Sequence, residues 1–184
     1  DKFMDIEQNL PFLITNLSTD NGYEFLNKIF IQYCKTRPGM PIKFTRKRPY
    51  KKNDAAHVEQ KNWTHVRQLF GYSRADDAQI VGIMNEIYRA YWSPLMNFFY
   101  PVMKIVEKKR IGAKIKKKYD KPRTPYQRLI ESEHVSESIK RKLTKQYEAI
   151  NPFDLKTRLE TKMNEYRRLV KIAEIQQLNY KKTV

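Results

Sequence analysis

The sequence predicts an α/β first half followed by a helical second half, and three observations carry that expectation. Short apolar runs ended by turn residues alternate with helical periodicity up to about residue 100. A block of dense positive charge comes next, and two capped amphipathic stretches follow it. At 184 residues this is one domain, or one compact unit with an appendage. The 40% apolar share, with 12 Tyr, 9 Phe and 2 Trp, suffices for a buried core and argues against wholesale disorder.

Taken in order, "LPFLITNL" (10–17) reads as a buried strand ended by polar turn residues. "GYEFLNKIFIQYC" sets Phe25, Ile29 and Tyr33 at helical spacing, and Pro38-Gly39 breaks the helix. "MPIKFTR" alternates Ile42 and Phe44 with polar neighbours, a second strand expected beside the first. Asn53 or Asp54 is placed to cap a helix through "AAHVEQKNWTHVRQLF". Val58, Asn62, His65 or Val66, and Leu69 give that helix its inward stripe, and Gly71 closes it. "DDAQIVGIMNEIYRAYW" puts Ile80, Met84, Ile87 and Tyr91 on one face, and Ser93-Pro94 reads as the cap of a short successor.

From 104 to 123 the chain holds ten Lys or Arg and two acids, too much charge for a core element, so an exposed arm or connector is expected. Ser136 then starts a helix with Ile139, Leu143 and Tyr147 in register. Asn151-Pro152 caps the last one, which carries Leu155, Leu159, Met163, Tyr166 and Leu169. That stripe is a packing face or a contact between protomers. The composition shift divides the chain into 1–100 and 101–184.

Charge points to the partner. With 37 Lys+Arg against 20 Asp+Glu the net charge is +17, which implies a polyanion, and nucleic acid first. One cysteine, Cys34, excludes an internal disulfide and fits a reducing cytoplasm. His57, His65, His134 and that thiol cannot build a zinc finger. No apolar stretch approaches the roughly 20 residues of a membrane span. The opening "DKFMDIEQNLPF" lacks an initiator Met and a signal-peptide pattern, which suggests a piece of something longer.

Two acids stand out against this basic background. Asp20 follows a strand end, the usual place for a functional residue in an α/β sheet, and Glu59 lies in the first turns of the helix after the second strand. Adjacent strands can bring the two carboxylates together, and such oxygens hold hard cations like Mg²⁺ with substrate phosphate completing the shell. On spacing alone two plain readings stay open. Asp-Asn-Gly is a common turn in which Gly22 supplies φ > 0, and a Glu near a helix N-terminus suits the helix dipole.

The wording of the two stretches adds to this. "TDNGYEF" and "RPYKKNDAAHVEQKNWTHVR" resemble the second and third acidic segments of the retroviral-type integrase core carried by DDE transposases of bacterial insertion sequences. The later "YDKPRTPYQRLIES" is similar to a segment following the core in one branch of these transposases. The resemblance is tight over about 10–70 and loose beyond. It implies an RNase H-like fold, here incomplete and followed by a basic segment and helices. It implies Asp20 and Glu59 as catalytic metal ligands, with Asn21, Gly22 and Asn62 supporting them. Two Mg²⁺ or Mn²⁺ ions are expected in the complete site. The activity implied is metal-dependent DNA cleavage and strand transfer on transposon ends and target, by a homo-oligomer acting on chromosomal DNA in a bacterial cytoplasm.

One departure matters. The family's site needs three carboxylates, and the first lies on the opening strand of the sheet, well upstream of the second. Asp1 and Asp5 are too close to Asp20 and lie outside any strand pattern. The expectation is therefore a C-terminal portion that is inactive by itself. Arg46, Arg48, Lys51 and Lys52 precede the Glu59 helix and are expected on phosphates, Lys61 and Arg67 either reach DNA beside the metal or are solvated surface charges, and Lys116, Lys117 and Lys118 are expected on the DNA backbone. Tyr50 and Trp63 are candidates for base stacking, with the core the simpler place for Trp63. His57 and His65 read as helix-surface residues. The rival class is a non-catalytic basic nucleic-acid-binding protein with structural acids, and a third reading is a metal nuclease that cuts without joining.

Overall fold

A computed structural model describes residues 2–19, 22, 27–48, 54, 56–73 and 76–183. The fold is mixed α/β with small sheets, and it divides into two compact units, Asp1–Ser73 and Arg74–Val184. The composition shift near residue 100 falls inside the second unit.

The first unit is built on a parallel pair of strands, β1 (Asn16–Thr19) and β2 (Lys43–Arg46), joined through helix α2 (Lys28–Thr36). The strands lie side by side as the two apolar runs predict, in the register Asn16↔Lys43, Leu17↔Phe44, Ser18↔Thr45 and Thr19↔Arg46. A parallel pair requires such a crossover, because a tight turn only joins antiparallel strands. Asn27 starts α2 by accepting the Phe30 amide on its side chain at 2.7 Å. Of the expected stripe Tyr33 turns inward, Ile29 does not, and Phe25 lies outside the described residues. Ile29 is 85% exposed, while Phe30, Tyr33 and Cys34 face the packing side, spaced three and four apart. Phe30 meets Phe44 of β2 edge-on with ring centres 6.2 Å apart.

A helix that the sequence reading missed, α1 (Lys2–Asn9), explains that choice. Phe3 packs edge-on to Phe30 at 5.0 Å and to Tyr33 at 6.1 Å. The Glu7 carboxylate accepts from the Tyr33 hydroxyl and from the Arg37 guanidinium. The first strand also begins later than its apolar run. Pro11 has no N–H to give a ladder, and Phe12 and Leu13 stay exposed.

Glu59 lies on α3 (Ala56–Asn62), which widens into a π-helical turn (Trp63–Arg67) before α4 (Gln68–Phe70). Gly71, at φ +75, ends this run as predicted. The predicted inward stripe is only partly right. Val58 is 60% exposed and Asn62 is exposed, whereas His65, Val66 and Leu69 are half-buried and Phe70 is buried.

In the second unit, α5 (Ala78–Glu86) passes through a π-helical turn (Ile87–Trp92) directly into α6 (Ser93–Phe98). Ser93 is helical and does not cap a new helix. Pro94 has no N–H and its ring crowds the carbonyl four residues back, and the widened turn before it relieves that clash without breaking the helix. Asp77 caps the start with its side chain, accepting from the Gln79 amide at 2.6 Å. Ile80, Ile83, Ile87 and Leu95 are buried against α9 (Pro152–Thr183), which contributes Leu155, Leu159, Met163, Tyr166 and Val170. Val170 takes the place expected of Leu169, which is half-buried. Asn151 caps α9, accepting the Phe153 amide at 2.9 Å.

Helices α7 (Pro125–Ile130) and α8 (Glu137–Glu148) complete this unit. α7 opens with a capping box: Thr124 takes the Gln127 amide at 3.1 Å while the Gln127 side chain takes the Thr124 amide at 2.8 Å. Tyr126 of α7 stacks on Tyr147 of α8 at 4.7 Å, and Phe98 of α6 lies 5.4 Å from the Tyr126 ring.

Candidate functional site

Asp20 and Asn21, the first half of the predicted carboxylate site, lie outside the described residues, as do Tyr50, Lys51 and Lys52 and the side chain of His57. The frame around them is described. Thr19, the last residue of β1, is opposite Arg46, and the ladder continues with the Lys47 amide donating to the Thr19 carbonyl at 2.9 Å. The two strands thus end side by side, one residue before Asp20 in the sequence. Thr19 is buried, and its hydroxyl has no hydrogen-bond partner among the described residues. Gly22 is half-buried.

Glu59 is exposed in the first turn of α3, and Asn62, three positions on, is exposed near its end. A run of cations shares this helix and the π-helical turn. Lys61 Nζ stands 3.4 Å from His65 Nε2. Burial, and then the Lys61 charge, push the His65 imidazole below its ordinary value, so this ring favours the neutral form. Arg67 lies over the Tyr72 ring at 4.8 Å, a cation–π contact that orients its guanidinium. Trp63 is 50% exposed rather than packed away, in line with Val58 to Asn62 before it, which are exposed as well.

The basic strand end is more structured than its composition suggested. Arg48 grips Asp54 with two parallel bonds, Nε to Oδ2 and Nη2 to Oδ1, both at 2.9 Å, and its backbone N–H donates to Oδ2 at 3.2 Å. These bonds hold the Asp54 carboxyl down at about 2. Arg48 therefore ties β2 to the approach of α3, while Arg46 remains exposed at the strand end. Nothing in the sequence marked Asp54 for this, since a helix cap was the simpler use of an acid there.

Mg²⁺ or Mn²⁺ suits the donors of the predicted pair, which are carboxylate oxygens. Among the described residues no group of three or more His, Cys, Asp or Glu gathers to hold a metal ion, and Asp20 is not among those residues.

Lys116, Lys117 and Lys118 belong to the second unit, where the predicted arm is a regular antiparallel hairpin of β3 (Ile105–Ile111) and β4 (Lys114–Tyr119). All of β4 is exposed, as is β3 apart from half-buried Glu107. The base of the hairpin is locked. The Lys104 amide donates to Asp120 Oδ1 at 2.7 Å, and Arg128 of α7 reaches Asp120 Oδ2 at 2.6 Å and the Val102 carbonyl at 2.8 Å. The Arg128 hydrogen bond and the Lys104 amide hold the Asp120 carboxyl down at about 2. Sequence reasoning missed this clamp. Its available signal was the Asp–Arg pair bracketing "KPRTPYQ", next to a helix start.

No family model matches the chain, and no solved structure matches it significantly. Over 121 residues it is 38% identical to "Uncharacterized protein y4rM" of Sinorhizobium fredii (strain NBRC 101917 / NGR234). That stretch covers 64% of this chain and 33% of the relative, so the chain spans about a third of the length of the curated protein it matches.

Proposed function

We propose that the chain is part of a DDE-type transposase, and that its first unit is a portion of an RNase H-like catalytic core. The observation that carries the reading is the parallel pairing of β1 with β2. It ends the two strands side by side at Thr19 and Arg46, with Asp20 the next residue in the sequence after the first and the Glu59 helix the next described helix after the second. The "TDNGYEF" and "HVEQKN" wording agrees with that arrangement.

In this mechanism the Asp20 and Glu59 carboxylates hold the metal, and Asn62 steadies the exposed face beside Glu59. Mg²⁺, when bound, supplies charge stabilisation to the entering and leaving oxygens of an in-line phosphoryl transfer. Arg46 and Lys61 fix the flanking phosphates by charge and so set the line of attack. Water cleaves the phosphodiester to leave a DNA 3′-hydroxyl, and that hydroxyl then attacks the target phosphate. Each displacement exchanges one P–O bond for another, with no covalent intermediate on the protein. The motif match supplies the second and third of the family's three acids, so strand transfer by the 184-residue chain alone is expected to be absent.

Titration with Mn²⁺ tests the carboxylate pair, read by calorimetry and by the fluorescence of half-exposed Trp63, four residues from Glu59. The wild-type chain should respond, and Asp20→Asn and Glu59→Gln should not. Equal responses in all three would sink the proposal. The second reading, a non-catalytic nucleic-acid-binding protein, would then stand on the exposed lysine hairpin.

A further inference from the structure

We infer that the β3–β4 hairpin is a two-faced cationic ribbon that enters the major groove of B-form double-stranded DNA. The inference stands apart from the carboxylate reading, since it uses only residues of the second unit. Its first support is a pairing that a free hairpin should avoid. Lys108 lies directly opposite Lys117, and Lys109 directly opposite Lys116. Like charges facing each other across a ladder destabilise it. The opposite-sign pair is Glu107↔Lys118, and Glu107 is already held by Lys109 at 2.6 Å. An anion set between the strands' side chains turns this repulsion into binding.

The second support is how the charges divide. Opposed residues share a face and neighbours alternate, so Lys109, Lys114, Lys116 and Lys118, with Glu107, project to one side and Lys108, Arg110 and Lys117 to the other. A ribbon that lies on a flat phosphate surface needs one basic face. Cations on both faces fit a groove with a phosphate wall on each side. The major groove of B-DNA, about 12 Å wide, admits a two-stranded ribbon, whereas the deep, narrow major groove of A-form RNA does not.

The ends of the hairpin suit this use. Gly112, at φ +60, makes a tight two-residue tip, beside which Ile111 and Ile115 are 56% and 51% exposed. Apolar groups at that depth are of the kind that meet thymine methyls in the major groove. At the base, Asp120 and Arg128 fix the ribbon to α7, so little orientational freedom remains to be lost on binding.

The test uses the full 184-residue chain, a short labelled DNA duplex and an RNA duplex of the same sequence, with binding followed by fluorescence anisotropy from about 50 to about 200 mM salt. One double variant removes each face's pair: Lys108→Gln with Lys117→Gln, and Lys109→Gln with Lys116→Gln. The wild-type chain should prefer DNA. Each variant should lose affinity on the order of tenfold at the higher salt and lower the log–log salt slope by about 2. The Lys108/Lys117 variant should melt at or above the wild-type temperature, because it loses only a repulsive pair. The Lys109/Lys116 variant also gives up the exposed Lys109–Glu107 ion pair and should melt within a few degrees of wild type, so weakened binding would not reflect unfolding. Equal affinity for the two duplexes, a loss confined to one face, or no loss in either variant would overturn the inference. The readout needs no metal, so a failed Mn²⁺ titration would count against the transposase reading and leave this one intact.

Discussion

At the scale of single residues, the decisive contacts are a few polar ties and the enclosed side chain of Ile87. Arg37 and Glu7 form an ion pair whose side chains are only 6% and 13% exposed. Removing one partner leaves the other buried and uncompensated, which costs about 3–5 kcal/mol. Glu7→Ala should therefore lower stability by that order in urea unfolding, and an effect under about 1 kcal/mol would show that Arg37 finds another partner. Ile87 is fully buried in the second unit. Ile87→Ala should cost about 2–5 kcal/mol, from lost transfer energy and the cavity left behind, measured the same way. Glu59 differs in kind: it is exposed, so Glu59→Gln should leave the melting temperature unchanged, and on the proposed function it should abolish the Mn²⁺ response expected of the wild-type chain.

Among the elements, the hairpin and the last helix offer the clearest tests. Gly112 sits at φ +60 with open space where a Cβ would stand, so a side chain there meets backbone strain and not a clash. Gly112→Val should weaken the turn by about 1–2 kcal/mol, visible as faster amide exchange along β3 and β4 with the second unit's helices still protected. Asn151→Ala removes the cap of a 32-residue helix and should cost about 1 kcal/mol in thermal or urea unfolding. The two π-helical turns have separate settings: the second precedes Pro94 and relieves its clash, and the first begins at exposed Trp63 directly after the Glu59 helix.

For the whole molecule, acid behaviour and charge set the terms. Asp54 in the first unit and Asp120 in the second are both held at about 2 by arginine hydrogen bonds. A carboxyl whose folded pKa lies below its unfolded value of about 3.9 stabilises the fold above that value. Both contributions should fade as pH falls from about 4 through about 2, lowering the melting temperature, and Asp120→Asn should flatten that decline in the second unit. A net charge of +17 makes affinity for any nucleic acid depend steeply on salt. No helix among the described residues is long and apolar enough to cross a membrane.

The sequence by itself determined that the first two strands are neighbours, where most of the helices run, and that Asn151 caps the last of them. It could do so because apolar periodicity and capping chemistry are local. It also singled out Asp20 and Glu59, since acids at a strand end and a helix start stand out in a polycation. Only the tertiary structure decided which face of α2 points inward, because Ile29 and Phe30 are both apolar and α1 chose between them through Phe3. It decided that Arg48 holds Asp54 and Arg128 holds Asp120, pairings across a turn that no periodicity encodes. It turned a basic arm into a ribbon with lysines facing lysines, because strand register is a property of two segments together and neither one carries it alone.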